Sequence, residues 1–322
     1  METITQIQQH IQKSLADLNW NKQPLGLYQP IGYTLEAGGK RIRPALLLIA
    51  YSMYNSNWQS ATDAALALEV FHNFTLLHDD LMDNADQRRG RPSVHIKWDP
   101  NTAVLSGDQM MIEAYKLLQN LPAEQLKVCL TLFNQMATEI CEGQQYDVDF
   151  EERNDVTVEN YMEMIRLKTA VLLATALKMG ALLAGAPEED AEALYQFGTN
   201  IGLAFQLKDD YLDVYGDPVT FGKPIGGDIA CNKKTFMLIT AFHKADVKTR
   251  IELQQWLACT NKDKKIKAVT EIYNQQGIDR ICEEEIQKYT QKAIANLDFI
   301  SKKGVNTEAL RSLAEKLTAR NK

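Results

Sequence analysis

Apolar residues recur at helical spacing through nearly all of the 322 residues, as at Leu66, Val70, Phe74, Leu77 and Leu81, and no sustained period-two alternation interrupts them. A chain patterned in this way buries one stripe of each helix against other helices, so the predicted fold class is all-α. The periodicity predicts helices over about 3–17, 25–36, 41–54, 61–85, 101–119, 122–151, 157–182, 188–215, 232–243, 246–258, 262–275, 278–297 and 306–319. The breaks fall at Gly38-Gly39, Arg89-Gly90-Arg91-Pro92, Asp99-Pro100, Gly185-Ala186-Pro187 and the loop from Gly216 to Gly227. No Pro/Gly/Ser-rich linker or composition shift divides the chain, so residues 1–322 read as one large helical bundle around a central cavity.

Within this apolar pattern stand two acidic pentads, Asp79-Asp80-Leu81-Met82-Asp83 and Asp209-Asp210-Tyr211-Leu212-Asp213, about 130 residues apart. On a helix the first and fifth positions share a face and the second lies about 100° away, so each D-D-x-x-D presents a cluster of carboxylates. Two like charges at about 4 Å repel by roughly 4 kcal/mol at an effective dielectric of 20, so folding alone favours neither cluster. Carboxylate sites that leave room for substrate phosphates suit magnesium, and a magnesium diphosphate is the expected ligand. A solvated acidic helix face is the plain alternative for either copy alone. In the predicted bundle, residues 61–85 and 188–215 are expected to face each other across the cavity.

Composition narrows the classes of function. A formal net charge of −7 argues against sequence-independent nucleic-acid binding, which depends on basic surface. The five cysteines Cys129, Cys141, Cys231, Cys259 and Cys282 are scattered and form no C-x-x-C pair, so neither a disulfide framework nor a zinc site is implied, and a reducing cytoplasm fits. Residues 1–20 lack the cationic start and apolar core of a signal peptide. The most membrane-like stretch, Thr169 to Ala186, contains Lys178 and two glycines and reads as a buried helix rather than a span.

Cations accompany both pentads. Arg88 and Arg89 follow the first, and guanidinium forks match phosphate oxygens, although a pair of arginines in a loop also suits solvated surface. Gly38-Gly39-Lys40-Arg41-Ile42-Arg43-Pro44 sets three cations beside two glycines, either a second diphosphate pocket or a plain turn; its spacing is not that of a Walker A loop. After the second pentad, Phe221-Gly222-Lys223-Pro224 and Asn232-Lys233-Lys234-Thr235 carry lysines on a loop able to fold over a metal-bound phosphate. Lys168-Thr169 and Phe205-Gln206 place polar groups in apolar runs, as cavity lining or as satisfied core groups, and His72 lies about two turns before Asp79.

Taken in order, Gly39-Lys40-Arg41-x-Arg43-Pro44, Asp79 to Asp83, Arg88-Arg89-Gly90, Gly143-Gln144-x-x-Asp147, Lys168-Thr169, Phe205-Gln206 and Asp209 to Asp213 closely resemble the trans-isoprenyl diphosphate synthases, which include farnesyl and geranylgeranyl diphosphate synthases. The resemblance implies a head-to-tail prenyl transfer. An allylic diphosphate ionises, isopentenyl diphosphate attacks the carbocation through its double bond, and a proton leaves. It implies three magnesium ions, with Asp79, Asp83 and Asp209 as direct ligands and Asp80, Asp210 and Asp213 as ligands or supports. It assigns Arg88, Lys168, Lys223 and Lys233 to the allylic diphosphate, and Lys40, Arg43, His72 and Arg89 to isopentenyl diphosphate. Thr169 and Gln206 would turn oxygen dipoles toward the carbocation. The family also implies a homodimer.

The resemblance places the growing tail along the helix before Asp79, where Thr75, Phe74 and Phe71 form a floor, and an aromatic ring there stops the tail after a few isoprene units. A lone aromatic five residues before the first aspartate is similar to the geranylgeranyl type, and twenty carbons are favoured over fifteen. A terpene cyclase usually has a different second motif, and a non-catalytic prenyl-diphosphate-binding subunit normally loses aspartates; the intact pentads argue against both.

Overall fold

The computed structural model describes residues 4–217 and 225–318. They fall into two compact units, Met1–Asn134 with Thr175–Leu194, and Gln135–Ala174 with Tyr195–Lys322. Both are helical, as the apolar periodicity requires.

The first unit contains α1 (Ile4–Ala16), α2 (Leu25–Glu36), α3 (Ile42–Ser52), a 3₁₀ turn at Trp58–Ala61, α4 (Thr62–Met82), the two-residue strands β1 (Gln87–Arg88) and β2 (Arg91–Pro92), α5 (Val94–Lys97) and α6 (Pro100–Leu118). The start of α7 (Ala123–Glu152) also belongs to it. Along α4, Ala64–Leu68, Val70 and Phe71 are buried, so this helix is apolar almost all round and occupies the centre of its unit. It packs chiefly on α6. The two approach closely because Gly107 has no side chain: a Cβ there would lie 2.2 Å from the His78 ring. α6 starts where its chemistry directs, with Pro100 in the first turn and the Asp99 side chain accepting from Thr102 N at 2.9 Å.

The second unit holds most of α7, then α8 (Val158–Ile165), a π-helical turn over Arg166–Ala170, the start of α9 (Val171–Leu183) and most of α10 (Glu188–Tyr215). It continues through α11 (Gly227–Ala230), α12 (Phe236–Lys244), α13 (Val247–Leu257), α14 (Lys262–Gln276), α15 (Ile278–Ser301) and α16 (Glu308–Thr318). Phe150, Tyr161, Leu207, Tyr211, Met237, Leu253, Tyr273 and Ile278 form its core. Side-chain caps fix the starts of α8, α12, α13 and α14 at Thr157, Thr235, Asp246 and Asn261.

Several boundaries depart from the helix expectations; the helix expected over 61–85 ends at Met82 and that over 278–297 runs on to Ser301. The expected helix over 157–182 is interrupted by the π-helical turn, that over 232–243 starts only at Phe236, and that over 41–54 starts at Ile42. The last two delays have a backbone cause: Asn232 and Arg41 adopt left-handed φ values of 59° and 49°, which no helix continues. The β1–β2 hairpin was not expected from the sequence. No helix among the described residues is long and apolar enough to cross a membrane. All five cysteines are free thiols.

Candidate active site

In the first unit the acidic pentad closes α4, and its carboxylates do different work. Asp80 is buried, and both its oxygens accept from Arg88 Nε at 2.8 Å. Arg88 Nη2 lies 2.7 Å from Asp80 Oδ1 and 3.6 Å from Asp79 Oδ2. Asp79 is half-buried, and Asp83, the C-cap of α4, is exposed. The β1–β2 hairpin delivers Arg88 by turning at Arg89 and Gly90, where φ is 53° and 73°. Burial works against the Arg88 charge, but the hydrogen bond and charge of Asp80, with Asp79 and Asp83, hold its pKa above the ordinary value.

The glycine motif lies against the same hairpin. Arg89 donates to the Gly38 carbonyl, and Gly39, at φ 133°, leaves room for that guanidinium: a Cβ there would stand 2.9 Å from Arg89 Cζ. Burial pushes Arg43 down to about 10, with Glu69 opposing and Arg89 adding to the fall. His72 is held well below its usual range by burial, then by the charges of Arg43, Arg89, Arg88 and Arg41. It is therefore a neutral imidazole at neutral pH, able to hydrogen-bond an anion without adding charge. Lys40 is exposed.

On the chain-length stretch, Phe74 is half-buried, with its ring centroid 4.9 Å from that of His78 and 5.4 Å from that of Phe71. Phe71 is fully buried and stacks edge-on to Phe133 at 5.1 Å, which in turn meets Tyr115 at 5.0 Å. Thr75 Oγ1 donates to the His72 carbonyl at 2.8 Å within the helix.

In the second unit the π-helical turn carries Lys168 and Thr169. One extra residue per turn re-aims side chains, and such bulges are frequent at functional sites. Gly143 permits it, because a Cβ there would lie 2.4 Å from Lys168 N. Lys168 Nζ pairs with Asp147 Oδ2 at 2.6 Å. Burial drives the Asp147 pKa up, and Lys168 and Lys233 overcome it, so the carboxylate stays ionised. Thr169 Oγ1 donates to Gln206 Oε1 at 3.3 Å, and Gln206 Nε2 donates to Asp210 Oδ1 at 3.1 Å. Thr169, Gln206 and Asp210 thus form one hydrogen-bonded chain from the π-helical turn to the second pentad.

Asp210 is buried and also accepts from the Tyr161 hydroxyl. Asp213 accepts from the backbone N–H of Asp228 at 2.9 Å, at the start of α11. Burial, followed by the charge of Asp228, pushes Asp210 up to about 7 and Asp213 up to about 6. Burial and the neighbouring Asp228 carboxylate account for both rises, and a bound divalent cation would oppose them. The donor set is all oxygen, which fits magnesium.

Lys234 Nζ donates to the Glu151 carbonyl at 2.8 Å, while the Lys233 charge acts on Asp147, Asp210 and Asp213. Lys223 lies outside the described residues. Sequence reasoning gave no role to Tyr161, Asp228 or Glu69. Tyr161 carries no sequence signal, being one aromatic of a helix stripe, while Asp228 directly follows the loop from Gly216 to Gly227 and Glu69 lies on α4 as an acid among apolar neighbours.

The polyprenyl synthetase family model matches residues 25–276. The chain is 44% identical over 237 residues to a geranylgeranyl diphosphate synthase from Methanosarcina mazei, covering 73% of each protein. It matches a crystal structure of a geranylgeranyl pyrophosphate synthase at TM-score 0.94 and 42% identity, over 100% of both chains. It also matches the geranylgeranyl pyrophosphate synthase from Corynebacterium glutamicum, solved with isoprenyl diphosphate and magnesium, at TM-score 0.83 and 31% identity, covering 99% of this chain and 96% of that one. With the aspartate pentads, their basic companions and the helical fold all in agreement, the chain belongs to the polyprenyl synthetase family.

Proposed function

We propose that this protein is a short-chain trans-prenyltransferase that condenses an allylic diphosphate with isopentenyl diphosphate, head to tail, and releases a twenty-carbon prenyl diphosphate. The observation that carries this reading is the pair of intact D-D-x-x-D clusters with their polar companions in place: Arg88 on Asp80 and Asp79 at the first, and Thr169 through Gln206 to Asp210 at the second.

Asp79, Asp83 and Asp209 would hold magnesium, three ions by the family pattern, with Asp210 and Asp213 in support. Magnesium supplies positive charge at the departing diphosphate oxygens. Arg88, Lys168 and Lys233, with Lys223, bind the allylic diphosphate and stabilise charge as it develops on the leaving group more than in the ground state. Lys40, Arg43, Arg89 and neutral His72 receive isopentenyl diphosphate. Thr169 and Gln206 present oxygen dipoles to the carbocation without a nucleophile strong enough to trap it. Asp80 acts through Arg88, fixing the fork in one orientation.

Product length rests on Phe74, the half-buried edge of an aromatic run backed by Phe71 and Phe133. Free thiols throughout suit a reducing cytoplasm. A homodimer is supported by Val104, Leu105 and Ile112 of α6 and Val128 of α7, which leave large apolar side chains in water.

Incubation with dimethylallyl and isopentenyl diphosphates plus magnesium, followed by chromatography of the dephosphorylated alcohols, tests the reading. Geranylgeraniol is the expected major product. Absence of any prenyl alcohol would leave a binding subunit, and hydrocarbon formed without consumption of isopentenyl diphosphate would mark a cyclase.

A further inference from the structure

The loop from Gly38 to Arg43 is tied down by contacts that no substrate-holding role requires. Arg89 donates to the Gly38 carbonyl, and Gln8 Nε2 donates to the Lys40 carbonyl at 2.8 Å. Arg41, between the two cations assigned to isopentenyl diphosphate, turns inward instead. Its backbone is left-handed (φ 49°, ψ 40°), and its side chain is buried, with Nη1 2.6 Å from Glu69 Oε1 and Nη2 donating to the Leu35 carbonyl. Glu69 is equally buried, and Asn73 Nδ2 donates to its carboxylate at 3.0 Å and to its carbonyl at 2.8 Å.

A buried ion pair is a weak source of stability, because desolvating both charges offsets most of their attraction. Its surroundings suggest another use. Arg43, Arg89, Arg88 and His72 crowd the same region. Burial lowers both Arg43 and Arg89; the Arg89 charge adds to the fall at Arg43, the Arg41 and Arg88 charges add to it at Arg89, and Glu69 acts in the opposite direction on both.

We propose that Arg41 and Glu69 are positioning residues for the isopentenyl diphosphate pocket: their buried ion pair pins the glycine loop to α4, so that Lys40, Arg43 and Arg89 stand assembled before the diphosphate arrives. This rests on the assignment of that substrate to this loop. A preassembled anion site forgoes the ordering cost at the moment of binding. Neither residue has to touch the substrate.

The test is steady-state kinetics of the full-length enzyme with each substrate varied in turn. Glu69→Gln should raise KM for isopentenyl diphosphate about tenfold or more, and leave KM for the allylic substrate and kcat within about threefold. Since Glu69→Gln strands a buried guanidinium, the double variant Arg41→Met with Glu69→Leu removes the pair entirely while keeping the core filled. It should fold with an undiminished thermal midpoint and show the same raised KM. Wild-type KM in the double variant, or an equal rise for both substrates, overturns the positioning role. Arg43→Ala separates the two ideas: an unchanged KM for isopentenyl diphosphate there refutes the substrate assignment itself. A raised KM in Arg43→Ala, with wild-type behaviour of the double variant, refutes positioning alone.

Discussion

Phe71 and Phe74 are both in the aromatic run before the first pentad, yet the structure gives them different tolerances. Phe74 is half-buried and leans on Phe71 and His78, so Phe74→Ala should lengthen the product by one or more isoprene units at little cost in stability, as read by chromatography of the alcohols. Phe71 is locked against Phe133 in the core, and Phe71→Ala should destabilise by about 3–5 kcal/mol in chemical denaturation. The sequence placed both rings on the expected floor; burial, which periodicity reports only coarsely, separates them. The aspartates divide in the same way. Asp209→Ala should slow turnover by about a hundredfold or more with little change in thermal midpoint, because it removes one of several clustered like charges. Asp213→Ala should slow turnover and also lower the thermal midpoint, since Asp213 accepts the Asp228 N–H at the start of α11, a contact worth about 1 kcal/mol.

At the scale of elements, two glycines with the same steric restriction should give different outcomes. A Cβ at Gly180 would lie 2.1 Å from the Leu47 carbonyl oxygen, and one at Gly143 would lie 2.4 Å from Lys168 N. Both Gly→Ala variants should lose about 1–3 kcal/mol of stability by overpacking. Only Gly143→Ala should also lower kcat, by about tenfold or more, because it displaces the π-helical turn that aims Lys168 and Thr169. Paired denaturation and kinetic measurements check this. Helix positions were legible because apolar spacing and side-chain caps are local: residues 25–36 and 188–215 coincide with α2 and α10. The π-helical turn was not, since the room for it comes from the close packing of Gly143 on the turn, a contact between residues about 25 apart in sequence. The β1–β2 hairpin was equally hidden. Its strands are two residues long, too short for alternation to show, and Arg88 is held there by Asp80.

For the molecule as a whole, Leu105 and Ile112, one heptad apart on α6, are 60% and 49% accessible, and they are the residues through which the proposed homodimer is tested. Leu105→Glu with Ile112→Glu should convert a dimer to a monomer in sedimentation velocity, whereas an unchanged sedimentation coefficient would place the contact elsewhere. No linker marked the two compact units in the sequence, because the divisions fall inside α7, α9 and α10, where composition has no reason to change. The sequence by itself determined the helical class, the two carboxylate clusters and the chemistry they call for, because these depend on residue type and on spacings of a few residues. Tertiary structure alone decided which charges are spoken for: Asp80 by Arg88, Asp147 by Lys168, Asp210 by Tyr161 and Gln206, and Arg41 by Glu69. Those pairings depend on burial and on contacts between distant segments, and solvation, not residue identity, sets what a charge does there.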